Sequence, residues 1–151
     1  VAIQRLGHYS IRTADLASSL SFYTEVLGFR QGYRPDFPFG GAWLYLAHSD
    51  ADYGVVHLIE ADPNSAGLSH YLGQREGEQT MGSAAVDHIA FLAADVDGVR
   101  ERLNSRGIDF RERVVPNLGL IQIFITDPSG LTLELNFETS DAVGGSDKAG
   151  A

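Results

Sequence analysis

The sequence predicts an α+β fold: two tandem βαβββ modules forming a cupped mixed sheet, with the helices on its outer face. Three observations carry this expectation. First, the chain runs through one pattern twice, GHYSIRTADLASSLSFYTEVLGFR at 7–30 and DHIAFLAADVDGVRERLNSRGIDFR at 87–111. His8 falls on His88 and Asp15 on Asp95 at an offset of 80 residues, and Gly28 falls on Gly107 at 79. Second, each half passes from strand-like alternation to a helical period and back to alternation. Third, 151 residues suit one domain, or two small modules sharing a core.

The first strand is expected over 3–12. Asp15 then caps a helix whose apolar stripe is Leu16, Leu20, Tyr23 and Leu27, and Gly28 supplies the left-handed exit. GFRQGYRP leads into a strand at AWLYLAH (42–48), a turn at SDADYG, and a last strand at GVVHLIE. The second half repeats the order: a strand over 86–93, an Asp95 cap, and a stripe of Val96, Val99 and Leu103 ending at Gly107. IDFRERVVP, GLIQIFIT (119–126) and GLTLELNFE follow as strands, the last two joined through DPSG. Pro128 and Gly130 there suit the second and fourth places of a type I turn. Module one therefore spans 1–60, a connector 61–84 and module two 85–138, with 139–151 a flexible tail.

Composition narrows the function. A net charge of −9, with the basic residues scattered, argues against nucleic acid or an anionic membrane as partner. The mixed-sign stretch RERLNSRGIDFRER reads as a solvated helix face. Without cysteine there is no disulfide, thiolate metal site or Cys nucleophile. No 18-residue apolar run and no signal-peptide pattern is present, so a cytoplasmic location is expected.

Strand parity then singles out a few polar residues. In LTLELNF, Leu131, Leu133, Leu135 and Phe137 share the helix-packed side, while Thr132, Glu134 and Asn136 share the other. In VVHLIE the same parity sets His57 apart from Val56 and Leu58. His57 lies 49 residues after His8 and Glu134 lies 46 after His88, so hairpin length alone separates two equivalent positions. A half-buried carboxylate needs a partner or a cation. Three imidazoles with one carboxylate make a good ligand set for Fe, Ni, Co, Zn or Mn. His8, His57, His88 and Glu134 are therefore the candidate ligands of one divalent metal, with Glu134 and His57 the candidate catalytic groups. His48 and His70 read as loop residues, and Trp43, Tyr45 and Phe124 as core or cavity wall.

HYSIRTADLASSLSFYTEVLGF, DHIAFLAADVD and DPSGLTLELNF together resemble the vicinal oxygen chelate superfamily. Glyoxalase I, extradiol dioxygenases, methylmalonyl-CoA epimerase and the fosfomycin and bleomycin resistance proteins belong to it. The likeness covers about residues 4–138. It implies paired βαβββ modules around a divalent metal, commonly in a homodimer. The superfamily's ligand positions match His8, His88 and Glu134, and its variable fourth position matches His57. Glyoxalases place Glu at that fourth position and the epimerases Gln, so His57 is a departure that leaves Glu134 as the single carboxylate base. Arg12 matches a glutathione-contacting arginine of glyoxalases. Ala61, Ala84 and Glu112, however, stand where those enzymes have polar or basic contacts, which counts against glutathione.

The expectation is a metal-dependent enzyme that chelates a small substrate through vicinal oxygens, a glyoxalase-like lyase or isomerase. If His57 stands back from the metal, His8, His88 and Glu134 form the two-His-one-carboxylate set of non-haem Fe(II) enzymes. The alternative is then an extradiol-type ring-cleaving dioxygenase. A further alternative is an antibiotic-binding resistance protein, and last a structural zinc domain. The connector 61–84, carrying His70 and Tyr71, has the length of a lid or of a crossing to a dimer partner.

Overall fold

In the computed structural model the described residues are 6, 8–48, 54–62, 64–68, 80–82, 86–115 and 119–138. The expected lid residues His70 and Tyr71, most of the connector, Ala84 and the 139–151 tail lie outside them. The chain divides into two compact units, Val1–Gly82 and Ser83–Ala151.

The first unit holds β1 (Tyr9–Thr13), α1 (Leu16–Ser21), β2 (Arg30–Gly32), β3 (Gly41–Tyr45) and β4 (Val56–Glu60). The second holds β5 (Ile89–Leu92), α2 (Val96–Ser105), β6 (Arg111–Val115), β7 (Leu120–Thr126) and β8 (Thr132–Glu138). Their sheets have matching orders, β1-β4-β3-β2 and β5-β8-β7-β6. In each, the first strand runs parallel to the last and the remaining pairs are antiparallel. The architecture is βαβββ twice.

Each sheet has one apolar face. In the first unit Ile11, Ala42, Leu44, Val56 and Leu58 are buried on it. Thr13 joins that face and its hydroxyl lies 2.7 Å from that of Ser19, which ties α1 over it. In the second unit Ile121, Ile123, Ile125, Leu133, Leu135 and Phe137 are all buried. Arg100 of α2 pairs with Glu112 on the same face, so the helix lies over it. Burying one such Leu, Ile or Phe side chain contributes about 1.5–3 kcal/mol, and this alternation fixes which residues look the other way.

Both helices start on the expected caps. The Asp15 carboxylate accepts from the Ser18 N–H and that of Asp95 from the Gly98 N–H. Gly28 (φ 79°) and Gly107 (φ 65°) take the left-handed exits. The stripe of the first helix differs from expectation. Ser19, Phe22, Tyr23 and Val26 are buried, with Leu16, Leu20 and Leu27 half-buried. Phe22–Val26 forms a π-helical turn, in which the Leu27 N–H reaches back five residues to the Phe22 carbonyl. The wider turn rotates the buried side away from a 3.6-residue stripe. RERLNSRGIDFRER is likewise not one helix face: α2 ends at Ser105, and Arg111 and Arg113 lie on β6. Among the described residues no helix is long and apolar enough to cross a membrane.

Candidate functional site

Strand register brings the predicted residues into equivalent places. On the face opposite the apolar core, Ser10 of β1 and Trp43 of β3 flank His57. In the second unit Ala90 of β5 and Phe124 of β7 flank Glu134 in the same way. His8 and His88 stand two residues before Ser10 and Ala90, on the same faces. His57 and Glu134 are therefore equivalent in register, and each has an aromatic residue beside it on the neighbouring strand.

In the second unit the contacts are specific. His88 Nδ1 lies 2.7 Å from the Asp87 carboxylate and His88 Nε2 lies 3.1 Å from Glu134 Oε2. An ionised carboxylate only accepts, so Nδ1 carries a proton toward Asp87 and Nε2 is directed at Glu134. A proton or a cation between Nε2 and Oε2 satisfies both atoms. Two donors each about 2.0–2.2 Å from a shared metal lie about 3 Å apart at right angles, so this spacing suits adjacent metal ligands. Glu134 is only 6% exposed. Its other oxygen accepts from Gln122 Nε2 at 2.7 Å, and the same nitrogen donates to Asn136 Oδ1 at 2.9 Å. Gln122 Oε1 accepts from Arg113 Nε at 2.6 Å. These partners fix the amide orientation, since a flip would set oxygen against oxygen.

The first unit offers imidazoles in a stack. The buried His57 ring lies between the exposed His8 ring (3.8 Å, 17°) and the Trp43 indole (4.1 Å, 6°). His57 Nε2 is 3.0 Å from the Gly54 carbonyl, an acceptor only, so Nε2–H donates and Nδ1 keeps the lone pair. Burial pushes this imidazole down to about 4, helped by the neighbouring His8 and by Arg34 and opposed by the Gly54 hydrogen bond. His57 is thus neutral at neutral pH. An imidazole donates to a metal in its own ring plane. A cation in the plane of His8 lies a stacking distance away from that of the near-parallel His57, so this orientation does not aim both rings at one ion.

The predicted residues thus come together as two pairs, His8 with His57 and His88 with Glu134. Among the described residues no group of three or more His, Cys, Asp or Glu is arranged to hold a metal ion. His48 is exposed, in keeping with a loop role. Glu112 is taken up by Arg100, which holds its carboxyl below the usual range. Asp87, Gln122 and Arg113 were not legible as site residues. Their only sequence signals are that Asp87 adjoins His88, and that Gln122 alternates with the apolar residues of IQIFIT.

Comparison with known proteins identifies the family. The family model of the Glyoxalase/Bleomycin resistance protein/Dioxygenase superfamily matches residues 5–135. Glyoxylase I 4 of Arabidopsis thaliana is 30% identical over 134 residues, covering 86% of this chain and 68% of that protein. A lactoylglutathione lyase of Pseudomonas putida is 28% identical, covering 85% and 82%. Among solved structures, a variant of the fosfomycin resistance protein FosX from Listeria monocytogenes, complexed with Mn(II) and 1S,2S-dihydroxypropylphosphonic acid, superposes with a TM-score of 0.65. It is 17% identical and covers 94% of this chain and 98% of that one. The chain belongs to the Glyoxalase/Bleomycin resistance protein/Dioxygenase superfamily.

Proposed function

We propose that this chain is a metal-dependent enzyme that chelates a small substrate through vicinal oxygens and moves a proton at the adjacent carbon, as a glyoxalase-like lyase or isomerase does. The observation that carries the reading is the 3.1 Å approach of His88 Nε2 to Glu134 Oε2, with the outer atom of each side chain already held by Asp87 and Gln122. His88, Glu134 and His8 would hold the metal. His57 supports His8 by stacking and keeps a free Nδ1.

A divalent metal bound there supplies Lewis-acid polarisation of the chelated oxygens. The chain's own groups do the rest. Glu134 is the carboxylate placed to take a proton from the substrate carbon and return it. Gln122 holds its Oε1, so Oε2 is the oxygen facing the site. The neutral His57 offers Nδ1 as a hydrogen-bond acceptor, and its lowered pKa leaves Glu134 as the working base. Trp43 stands beside His57 in the first unit and Phe124 beside Glu134 in the second. Relatives named as lactoylglutathione lyases, and a FosX structure holding Mn(II) and a vicinal diol, support this class of chemistry. We also propose that the protein works as a homodimer in the cytoplasm, with one metal per site.

A second reading has its own observation. With His57 hydrogen-bonded to Gly54 and stacked on His8, three ligands remain, the set used by Fe(II) ring-cleaving dioxygenases. Incubating metal-reconstituted protein with hydroxyacetone in D₂O, and separately with catechol in an oxygen electrode, tests the two. Deuterium entering hydroxyacetone without oxygen uptake supports the isomerase reading. Oxygen uptake with catechol replaces it with the dioxygenase. Neither activity in protein that holds metal would overturn both.

A further inference from the structure

On the Glu134 face of the second sheet two arginines stand side by side. Arg111 and Arg113 are two residues apart on β6, and register sets them against Phe124 and Gln122 of β7. Both guanidinium carbons sit over the one Phe124 ring, at 4.5 and 5.2 Å from its centre. That ring meets the His88 imidazole edge-on, with centroids 6.4 Å apart. Arg113 also donates through Nε to Gln122, whose amide in turn holds Glu134. The two cations are thus joined, through one ring and one amide, to the two residues proposed to hold the metal.

The pairing is unusual for this chain. Acids outnumber Lys and Arg by 20 to 11, and Arg100 of α2 is fully engaged by Asp97 and Glu112. Glu112 sits between Arg111 and Arg113 in sequence but points to the helix-covered face. Asp109 and Glu138 share the arginines' face by parity. Even so, among the described residues neither Arg111 nor Arg113 forms an ion pair with them or with any other acid. Two guanidinium groups brought to one ring repel each other. The Phe124 quadrupole and the Gln122 carbonyl offset part of that cost, and an oxyanion between the groups would offset the rest through charge-assisted hydrogen bonds. Both residues are exposed, so the paired N–H groups are open to a ligand.

Resting on the reading of His88 and Glu134 as metal ligands, we propose that Arg111 and Arg113 form an oxyanion subsite, and that the substrate carries a carboxylate or phosphonate one ring's width from its chelating oxygens. Phe124 spans the distance between the two guanidinium groups and His88. The enzyme would thereby select anionic substrates over neutral ones with the same vicinal oxygens.

The test is an NMR titration of the arginine Nε–Hε signals with benzoate, phenylphosphonate and neutral benzyl alcohol, with metal content measured on the same samples. The expected result is saturating shifts of the Arg111 and Arg113 signals with either anion and none with benzyl alcohol. The tighter of the two anions identifies the group. In the double variant Arg111→Met, Arg113→Met, which keeps an unbranched side chain over Phe124, anion affinity read from the Phe124 ring protons should fall by roughly tenfold or more. No saturation in the wild type, equal shifts with benzyl alcohol, or undiminished anion binding in the double variant would each overturn the subsite. Anion binding in a protein that takes up no metal would sink the metalloenzyme reading and leave the subsite standing.

Discussion

Gln122 serves three partners with one amide, donating to Glu134 and Asn136 and accepting from Arg113. It is only 7% exposed, so truncating it leaves a buried carboxylate oxygen without its donor. Gln122→Leu should therefore cost about 1–3 kcal/mol in chemical denaturation. Metal affinity should fall by about 10–100-fold in a competition titration, as when an outer partner of a ligand is lost. An unchanged affinity would mean that Glu134 needs no such holding. Asp87→Asn tests the other end: it keeps a hydrogen-bond acceptor for His88 Nδ1 but removes the charge, and should weaken metal binding less than Asp87→Ala. The strand positions of Glu134 and His88 were legible because the repeat placed them and parity showed which way they face. Gln122 and Asp87 were not, because their roles depend on cross-strand register and on a ring orientation that composition and period do not encode. The Trp43–His57–His8 stack was hidden for the same reason.

Among the elements, α2 was legible down to its cap. It packs Val96, Val99 and Leu103 as the stripe predicts. Its Asp95 cap sits at φ 60°, the one left-handed non-glycine among the described residues. Asn tolerates that backbone and still caps, whereas Ala does neither. Asp95→Asn should be nearly neutral, while Asp95→Ala should lower stability by about 1–2 kcal/mol in a urea titration. The helix is also tied to β6 by Arg100 and Glu112. Arg100 lowers the folded carboxyl's pKa below its unfolded value, so the unfolded chain takes up the proton first as pH falls. The pair's contribution, about 0.2–1 kcal/mol for an exposed bridge, is present above about pH 4.5 and lost as pH drops through the lowered value. Glu112→Gln should accordingly reduce the melting temperature slightly at pH 7 and not at pH 3. The first helix was read less well. Its start followed from Asp15, but the π-helical turn at Phe22–Val26 has no period of its own to detect, and it moved the buried side onto Ser19, Phe22, Tyr23 and Val26.

For the molecule as a whole, duplication is the organising fact. Two sheets of identical order place His57 and Glu134 at equivalent register positions, and the opening strands place His8 and His88 likewise. The strand set and both turn glycines could be read from the sequence because each half corroborates the other. The strand reading of IDFRERVVP placed Arg111 and Arg113 on β6. The charge pattern that ran RERLNSRGIDFRER together as one helix face did not, because charge alone does not separate a helix face from a strand. Chelator treatment of the metal-loaded protein is expected to lower the melting temperature, and adding back the metal to restore it. The central claim is that His8, His88 and Glu134 hold one divalent metal with His57 behind them. It is tested most directly by metal content, measured by mass spectrometry on anaerobically purified wild type beside His88→Ala, Glu134→Ala and His57→Ala. The account predicts one equivalent in the wild type and in His57→Ala, and loss in the other two. Loss in His57→Ala alone, or no metal in any of the four after reconstitution, would contradict it.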